Sequence, residues 1–226
     1  MTIDPEHQDP AHVILHFGSV PEPFGEIPEG AWQSLRPRWK QVHGTSTGEV
    51  RHPGQELGEV DAVWTRVPEL PIGVVTADCV PILLERADGK AVAAIHAGWR
   101  GTHARILAAF FRSLPPDLSD PREWVARLGP SVRACCYAVG EDLLERFARD
   151  FPEMPRPRWE PKPGHLDLIA LNSAELLRLG ARIAFVHPDC TLCAIRDGVH
   201  MYSSYRRGDR ESRQISMICL SSKKYL

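Results

Sequence analysis

Residues 76–101 read TADCVPILLERADGKAVAAIHAGWRG, and the reading of this stretch decides the fold. It holds two short apolar runs, 80–84 directly after Cys79 and 91–95 directly before His96. Between them lies Asp88-Gly89, a hairpin signal, because both residues tolerate the positive φ that tight hairpin turns demand. A hairpin folds the second run back along the first and brings Cys79 and His96 to one end of a sheet. Thiolate and imidazole are ligand types that zinc favours, and a catalytic zinc commonly has three protein ligands and one open position. His43, in Gln41-Val42-His43-Gly44, is the candidate third ligand. The same Cys-His pair also suits a nucleophile and its base. A buried cysteine beside a hydrogen-bonded core histidine would need no chemistry at all. Spacing leaves the three readings open, since no paired C-x-x-C or H-E-x-x-H lies in the stretch.

Three segments then carry a resemblance. Gln41-Val42-His43-Gly44, Ala77-Asp78-Cys79-Val80-Pro81 and His96-Ala97-Gly98-Trp99-Arg100-Gly101 resemble, in that order, the signature segments of the laccase-domain family. That family is also called multicopper polyphenol oxidase or peptidoglycan editing factor, and its members are described as purine nucleoside phosphorylases. The likeness continues through Gly129-Pro130, Cys135-Cys136-Tyr137, Asp167-Leu168 with Asn172, and Tyr205-Arg206-Arg207, covering roughly residues 40–220. It implies a single domain over 1–226, of α+β class, with central mixed β-sheets and helices packed outside. It also implies one Zn²⁺ held by His43, Cys79 and His96, phosphorolysis of adenosine and inosine, and associated adenosine deamination.

On that footing Asp78, Cys79 and His96 are the expected catalytic residues, with Asp78 an acid/base or an orienter of the metal ligands. Gln41, Trp99, Arg100 and Arg206 are expected on the nucleoside and phosphate. Arg100 sits in a glycine-bearing turn between a strand and a helix start, where free N–H groups and the helix dipole favour an anion. The alternatives are an amidase editing misincorporated residues in peptidoglycan precursors, or a catalytically inactive zinc-binding module. Two features depart from the family pattern: no arginine precedes Arg36, where a Thr-Arg-x-Gly-Gly loop is expected, and Ala138 stands where a Glu follows the Tyr. One His-Cys-His set cannot build a multi-copper centre, so copper-dependent oxidation is not expected.

Bulk properties narrow the classes. A chain of 226 residues, 43% hydrophobic and 25% charged, can bury a sizeable core. Its formal charge of −2 gives no electrostatic footprint for a nucleic-acid backbone. No apolar run approaches the roughly 18 residues of a membrane helix, and the acidic, proline-broken start lacks a signal-peptide pattern. The expectation is a cytoplasmic protein whose six cysteines are reduced thiols.

Elsewhere, 13–17, 60–65, 72–77, 124–128 and 183–186 read as strands, and 39–42 as a short one delivering His43 to a turn. The Gly/Pro-rich 17–30 and the polar 45–58 read as loops, and 1–12 as a loose tail. Helices are expected from an N-cap at Thr102 through 114, over 141–151, and from an Asp167 N-cap to Gly180. An extended loop is expected over 152–164, and an antiparallel pair 199–205 and 215–221 around Arg207-Gly208-Asp209, where the arginines suit a solvated edge or a phosphate contact. Cys135 and Cys136 read as small buried residues. Cys190-x-x-Cys193 is a lone pair, because a structural zinc site needs a second pair that the sequence does not place nearby.

Overall fold

Strands apolar on both faces must be covered on both faces, and the core of this chain follows from that requirement. The computed structural model describes residues 13–221 except 21, 23, 25 and 26; the expected tail at 1–12 lies outside the described residues. In chain order the elements are β1 (Val13–Phe17), α1 (Glu29–Leu35), β2 (Arg38–Lys40), β3 (Thr47–Glu49), β4 (Glu56–Glu59), β5 (Ala62–Thr65), β6 (Ile72–Thr76), β7 (Val80–Arg86) and β8 (Val92–Ala97). Then follow α2 (Trp99–His103), α3 (Ile106–Ser113), β9 (Trp124–Leu128), α4 (Glu141–Asp150), α5 (Leu168–Leu179), β10 (Arg182–Val186), β11 (Ile195–Arg196), β12 (Val199–His200) and β13 (Gln214–Leu220).

The centre is a six-stranded mixed sheet ordered β10-β9-β7-β8-β5-β3. Its outer pairs β10/β9 and β3/β5 are parallel and its inner pairs antiparallel. Every residue of β8 is buried. Successive side chains point to opposite faces, so Ile82, Leu84, Ala93 and Ile95 meet α3, α4 and α5 through Phe110, Phe111, Phe147, Leu171 and Leu176. Leu83, Val92, Ala94 and Val63 face the other way, onto Ile72, Val74, Ile218 and Leu220. Those last residues belong to a three-stranded antiparallel sheet, β1-β13-β6. The molecule is thus one compact domain in which the large sheet lies between a smaller sheet and a helical layer. The α+β expectation holds in this form.

The hairpin forms where Asp88-Gly89 signals it, but through a four-residue loop, 87–90, in which Gly89 and not Asp88 takes a positive φ. β7 and β8 pair antiparallel with Val80 opposite Ala97 and Pro81 opposite His96. Gly89 takes φ 71° in the connecting loop, and the Arg86 N–H donates to Ala91 O at 2.9 Å to close it. Cys79 and His96 therefore share one sheet end. The cap at α5 is also as expected: the Asp167 carboxylate accepts from the Ala170 N–H at 3.0 Å, and Gly180 ends the helix at φ 100°.

Several expectations are corrected. The 17–30 loop runs into α1, whose Trp32 is buried against Met217 and Cys219. Two short strands, β3 and β4, interrupt the expected loop at 45–58; each is held by a distant parallel partner, β5 or β2, rather than by local pattern. Thr102 is not an N-cap but lies inside α2, whose N-cap is Gly98, and the helical run breaks at Arg105, which takes φ 59°. Arg105 then ion-pairs with Glu153 and Glu175 at 2.7 and 2.6 Å, which fixes the break. Residues 199–205 do not pair with 215–221: β12 forms a two-stranded ribbon with β11, and β13 lies between β1 and β6.

The small sheet packs so closely that Gly73 leaves no room for a side chain. A Cβ there would sit 2.5 Å from Ser216 O and 3.1 Å from Trp32. Gly73→Ala is expected to lower unfolding stability by about 1–3 kcal/mol, the usual range for overpacking. Urea titration followed by tryptophan fluorescence checks this, and an unchanged midpoint would contradict the packing described.

Candidate metal centre

A carboxylate buried in an apolar setting must be fully partnered, and Asp61, completely buried directly before β5, is. It accepts from the N–H groups of Val42, His43 and Gly44 at 3.2, 2.9 and 2.7 Å. It also pairs with Nδ1 of His96 at 2.8 Å, while its own carbonyl accepts from the His96 N–H at 2.7 Å. Two remote segments are thereby fixed on one anion. The turn places His43 at φ 62°, a left-handed conformation uncommon for a residue with a side chain. With Nδ1–H of His96 committed to Asp61, Nε2 is turned toward Cys79. A carboxylate behind a histidine in this way is the arrangement that orients metal-ligating imidazoles.

The result is a three-donor cluster. One nitrogen each of His43 and His96 and the Cys79 sulfur lie within 4.8 Å of one another, and the imidazole centroids are 4.8 Å apart. Burial pushes the Cys79 thiol up, but hydrogen bonds from His43 and His96 outweigh it and bring it down to about 7. Burial pushes His96 down, and Asp61 and then Cys79 overcome this, raising it to about 9. Burial likewise raises Asp61, yet the His96 bond and the amides of Gly44 and Val42 hold it below the ordinary carboxylate range. Gly98 completes the cradle: a Cβ there would lie 2.9 Å from both Cys79 Sγ and His43 Cδ2. The donor set and its clearance fit a thiophilic divalent cation such as zinc.

The other expected residues fall around this cluster. Asp78, at φ 90°, accepts from the Thr191 hydroxyl at 2.7 Å and from the Arg206 N–H at 2.9 Å, one donor on each carboxylate oxygen. Gln41 spends both ends of its amide on Val75, donating to its carbonyl at 2.7 Å and accepting from its N–H at 2.9 Å. Trp99 packs against the helical layer, with the Arg100 guanidinium 4.6 Å above its ring. Arg206 donates to Ala138 O at 2.7 Å and lies 4.5 Å over the Tyr137 ring. Asn172 is structural: it donates to Thr102 Oγ1 at 2.9 Å and ties α5 to α2.

Sequence reasoning missed Asp61, Gly98 and Tyr137. Tyr137 is buried, and its hydroxyl is pushed up to about 12, first by burial and then by the neighbouring Cys79. A lone carboxylate ahead of Ala62-Val63-Trp64, in a run otherwise apolar, was the available sign for Asp61. The cysteines require a correction: Cys135 is exposed and Cys136 half-buried, and they stand beside Cys190 and Cys193, with the four sulfurs within 4.8 Å of one another. The partner pair for the C-x-x-C therefore exists. A separate cleft of about 420 Å³ between α5 and residues 151–158 contains none of these ligands. Its Arg105 and Arg178 are already paired with acids.

A sequence profile described as multi-copper polyphenol oxidoreductase laccase matches residues 31–221. The chain belongs to this laccase family. A relative in Bacteroides thetaiotaomicron named purine nucleoside phosphorylase is 33% identical over 168 residues, covering 73% of this chain. The aligned part spans 62% of that protein's length. A protein of an unknown prokaryotic organism named adenosine deaminase RL5 is 34% identical over 72% of this chain and 63% of its own. Among solved structures, the Bacillus licheniformis hypothetical protein YfiH superposes with a TM-score of 0.71 at 26% identity, covering 82% of this chain and 74% of its own. The laccase-family member described above shares that fold.

Asp61 generates a test. Asp61→Asn keeps the shape but removes the charge on which three amides and His96 converge. Divalent metal affinity, measured by competition with a chromogenic chelator, is expected to fall about 10–100-fold, the usual cost of losing such an orienting partner. Unchanged affinity would show that the buried carboxylate does not position the histidines for a metal.

Proposed function

We propose that this protein is a zinc-dependent purine nucleoside phosphorylase acting on adenosine and inosine, with adenosine deamination as an accompanying activity. The observation that carries the reading is the convergence of His43, Cys79 and His96 donors on one point. The names of the Bacteroides and RL5 relatives support it. Bound by these three residues, zinc supplies Lewis acidity at its remaining open position.

The chain's own groups then do the following. Asp61 holds the His96 ring with Nε2 directed at the metal position. Asp78, with a donor on each oxygen, acts as an orienter that keeps Thr191 and Arg206 at the rim rather than as a proton carrier. Arg206 and Arg100 supply positive charge for the phosphate. In phosphorolysis a phosphate oxygen bonds to C1′ of the ribose while the C1′–N9 bond breaks and its electron pair passes to the purine. Positioning both reactants accounts for much of such a rate gain. Trp99, half-buried directly after Gly98, offers an aromatic ring for a purine.

A second reading has a specific observation behind it. Asp61, His96 and Cys79 stand in the order carboxylate, imidazole, thiol, the relay of a cysteine hydrolase, which would suit amide hydrolysis in a peptidoglycan precursor. The first reading is preferred because His43 brings a second imidazole to the same sulfur, which a relay does not require and a metal does.

Purified protein is expected to release hypoxanthine from inosine only when phosphate is present, yielding ribose 1-phosphate. Stripping zinc, or the change His43→Ala, is expected to lower that rate by about a hundredfold or more, since losing an outer-sphere partner alone costs up to that much. Phosphate-independent base release would replace phosphorolysis with hydrolysis. Full activity in metal-free protein, with rapid iodoacetamide labelling of Cys79, would favour the cysteine relay.

A further inference from the structure

We propose that Cys135, Cys136, Cys190 and Cys193 form a second metal centre, a structural tetrathiolate site for one Zn²⁺. The four sulfurs come from two loops far apart in sequence and lie within 4.8 Å of one another. Zn–S bonds of about 2.3 Å in tetrahedral geometry put the sulfurs about 3.8 Å apart. The Cys135 and Cys193 sulfurs are 3.8 Å apart, the edge of such a tetrahedron and well beyond a disulfide bond. All four are free thiols.

Both loops turn tightly at their cysteines. Ser131 and Cys190 form a parallel bridge, and the Thr191 N–H donates to Ser131 O at 3.0 Å, joining the loops. The Cys136 and Tyr137 N–H groups both donate to Arg133 O at 2.9 Å, a tight turn that lets two adjacent cysteines face one point. The Arg133 N–H is directed at Cys190 Sγ at 3.4 Å. Amide donors on a cysteine sulfur favour its thiolate, the form that binds metal. Four soft sulfur ligands select zinc or iron among the common divalent ions. Their mutual spacing suits one ion, not a cluster that holds each cysteine on a separate iron. Cys135 and Cys193 are exposed, which provides the entry path.

The site would brace the rim of the first centre. Arg207 donates to Thr191 O and Leu192 O at 3.3 and 3.2 Å, inside the C-x-x-C loop. Thr191 in turn donates to Asp78, next to Cys79, and the Val132 N–H donates to Asp78 O at 3.0 Å. Tyr137, which follows Cys136, carries Arg206 on its ring. An ion joining the two loops would fix all of these together. The proposal concerns a different ligand set from the first centre and does not depend on the phosphorylase reading.

Elemental analysis of protein purified under reducing conditions is the test. The wild-type chain is expected to hold two zinc ions, and both His43→Ala and the double change Cys190→Ser/Cys193→Ser are expected to lose one. Zinc X-ray absorption on the His43→Ala protein, whose four cysteines remain intact, is expected to show four sulfur neighbours at about 2.3 Å. This readout survives even if the cysteine variant fails to fold. A single zinc in the wild type that disappears in His43→Ala would overturn the proposal. So would a Cys135–Cys193 disulfide, found by mass spectrometry in the reduced preparation, with no sulfur-only zinc signal.

Discussion

The arrangement depends on one buried carboxylate. Removing a negative charge from water is costly unless its lone pairs are met by donors, and Asp61 meets that condition with three consecutive amides and an imidazole. Because those donors come from two separated segments, satisfying the charge forces the 42–44 turn and the end of β8 together. The left-handed backbone at His43 costs on the order of 1 kcal/mol, and the three amide bonds of the same turn offset it. Folding and assembly of the three-donor cluster are the same event.

The sheet sets where that event happens. Strands β7 and β8 are covered by helices on one face and by the small sheet on the other, which fixes their register through both layers at once. A slip of one residue would reverse the sides on which Cys79 and His96 emerge. The same central sheet tolerates a second charged pair, Glu85 with Arg127 at 2.9 Å across β7 and β9, also buried. Asp61 with His96 and Glu85 with Arg127 are thus two buried polar pairs set by the sheet.

How much of this was legible follows from the range of each interaction. The β7/β8 hairpin and the capped ends of α5 were readable because Asp88-Gly89, Asp167 and Gly180 act on their immediate neighbours. The grouping of His43, Cys79 and His96 was one of three open readings until the family resemblance favoured it, since His43 has no fixed spacing to the hairpin. β3 and β4 were missed because their partners are distant and their own residues, Thr47–Glu49 and Glu56–Glu59, carry no strand pattern. The break at Arg105 was missed because its cause is a pair of glutamates from later in the chain. The cysteine quartet failed for the same reason: each pair is uninformative until the bridge between Ser131 and Cys190 brings the loops together.

The fate of each polar atom separates residues that hold from residues free to act. Gln41 closes both ends of its amide on Val75, and Asp78 meets a donor at each oxygen. Groups so engaged lose hydrogen bonds when they move, and an unmet buried polar group costs about 1–3 kcal/mol. They are suited to keeping neighbours in place. His43, Cys79 and His96 differ: their donor atoms face one another across a space too crowded for a side chain at Gly98. Two imidazoles and a thiol aimed at one point also form a donor set that a thiophilic cation would satisfy. On the proposed reading the chemistry belongs at that point, and the surrounding polar side chains serve to keep it there.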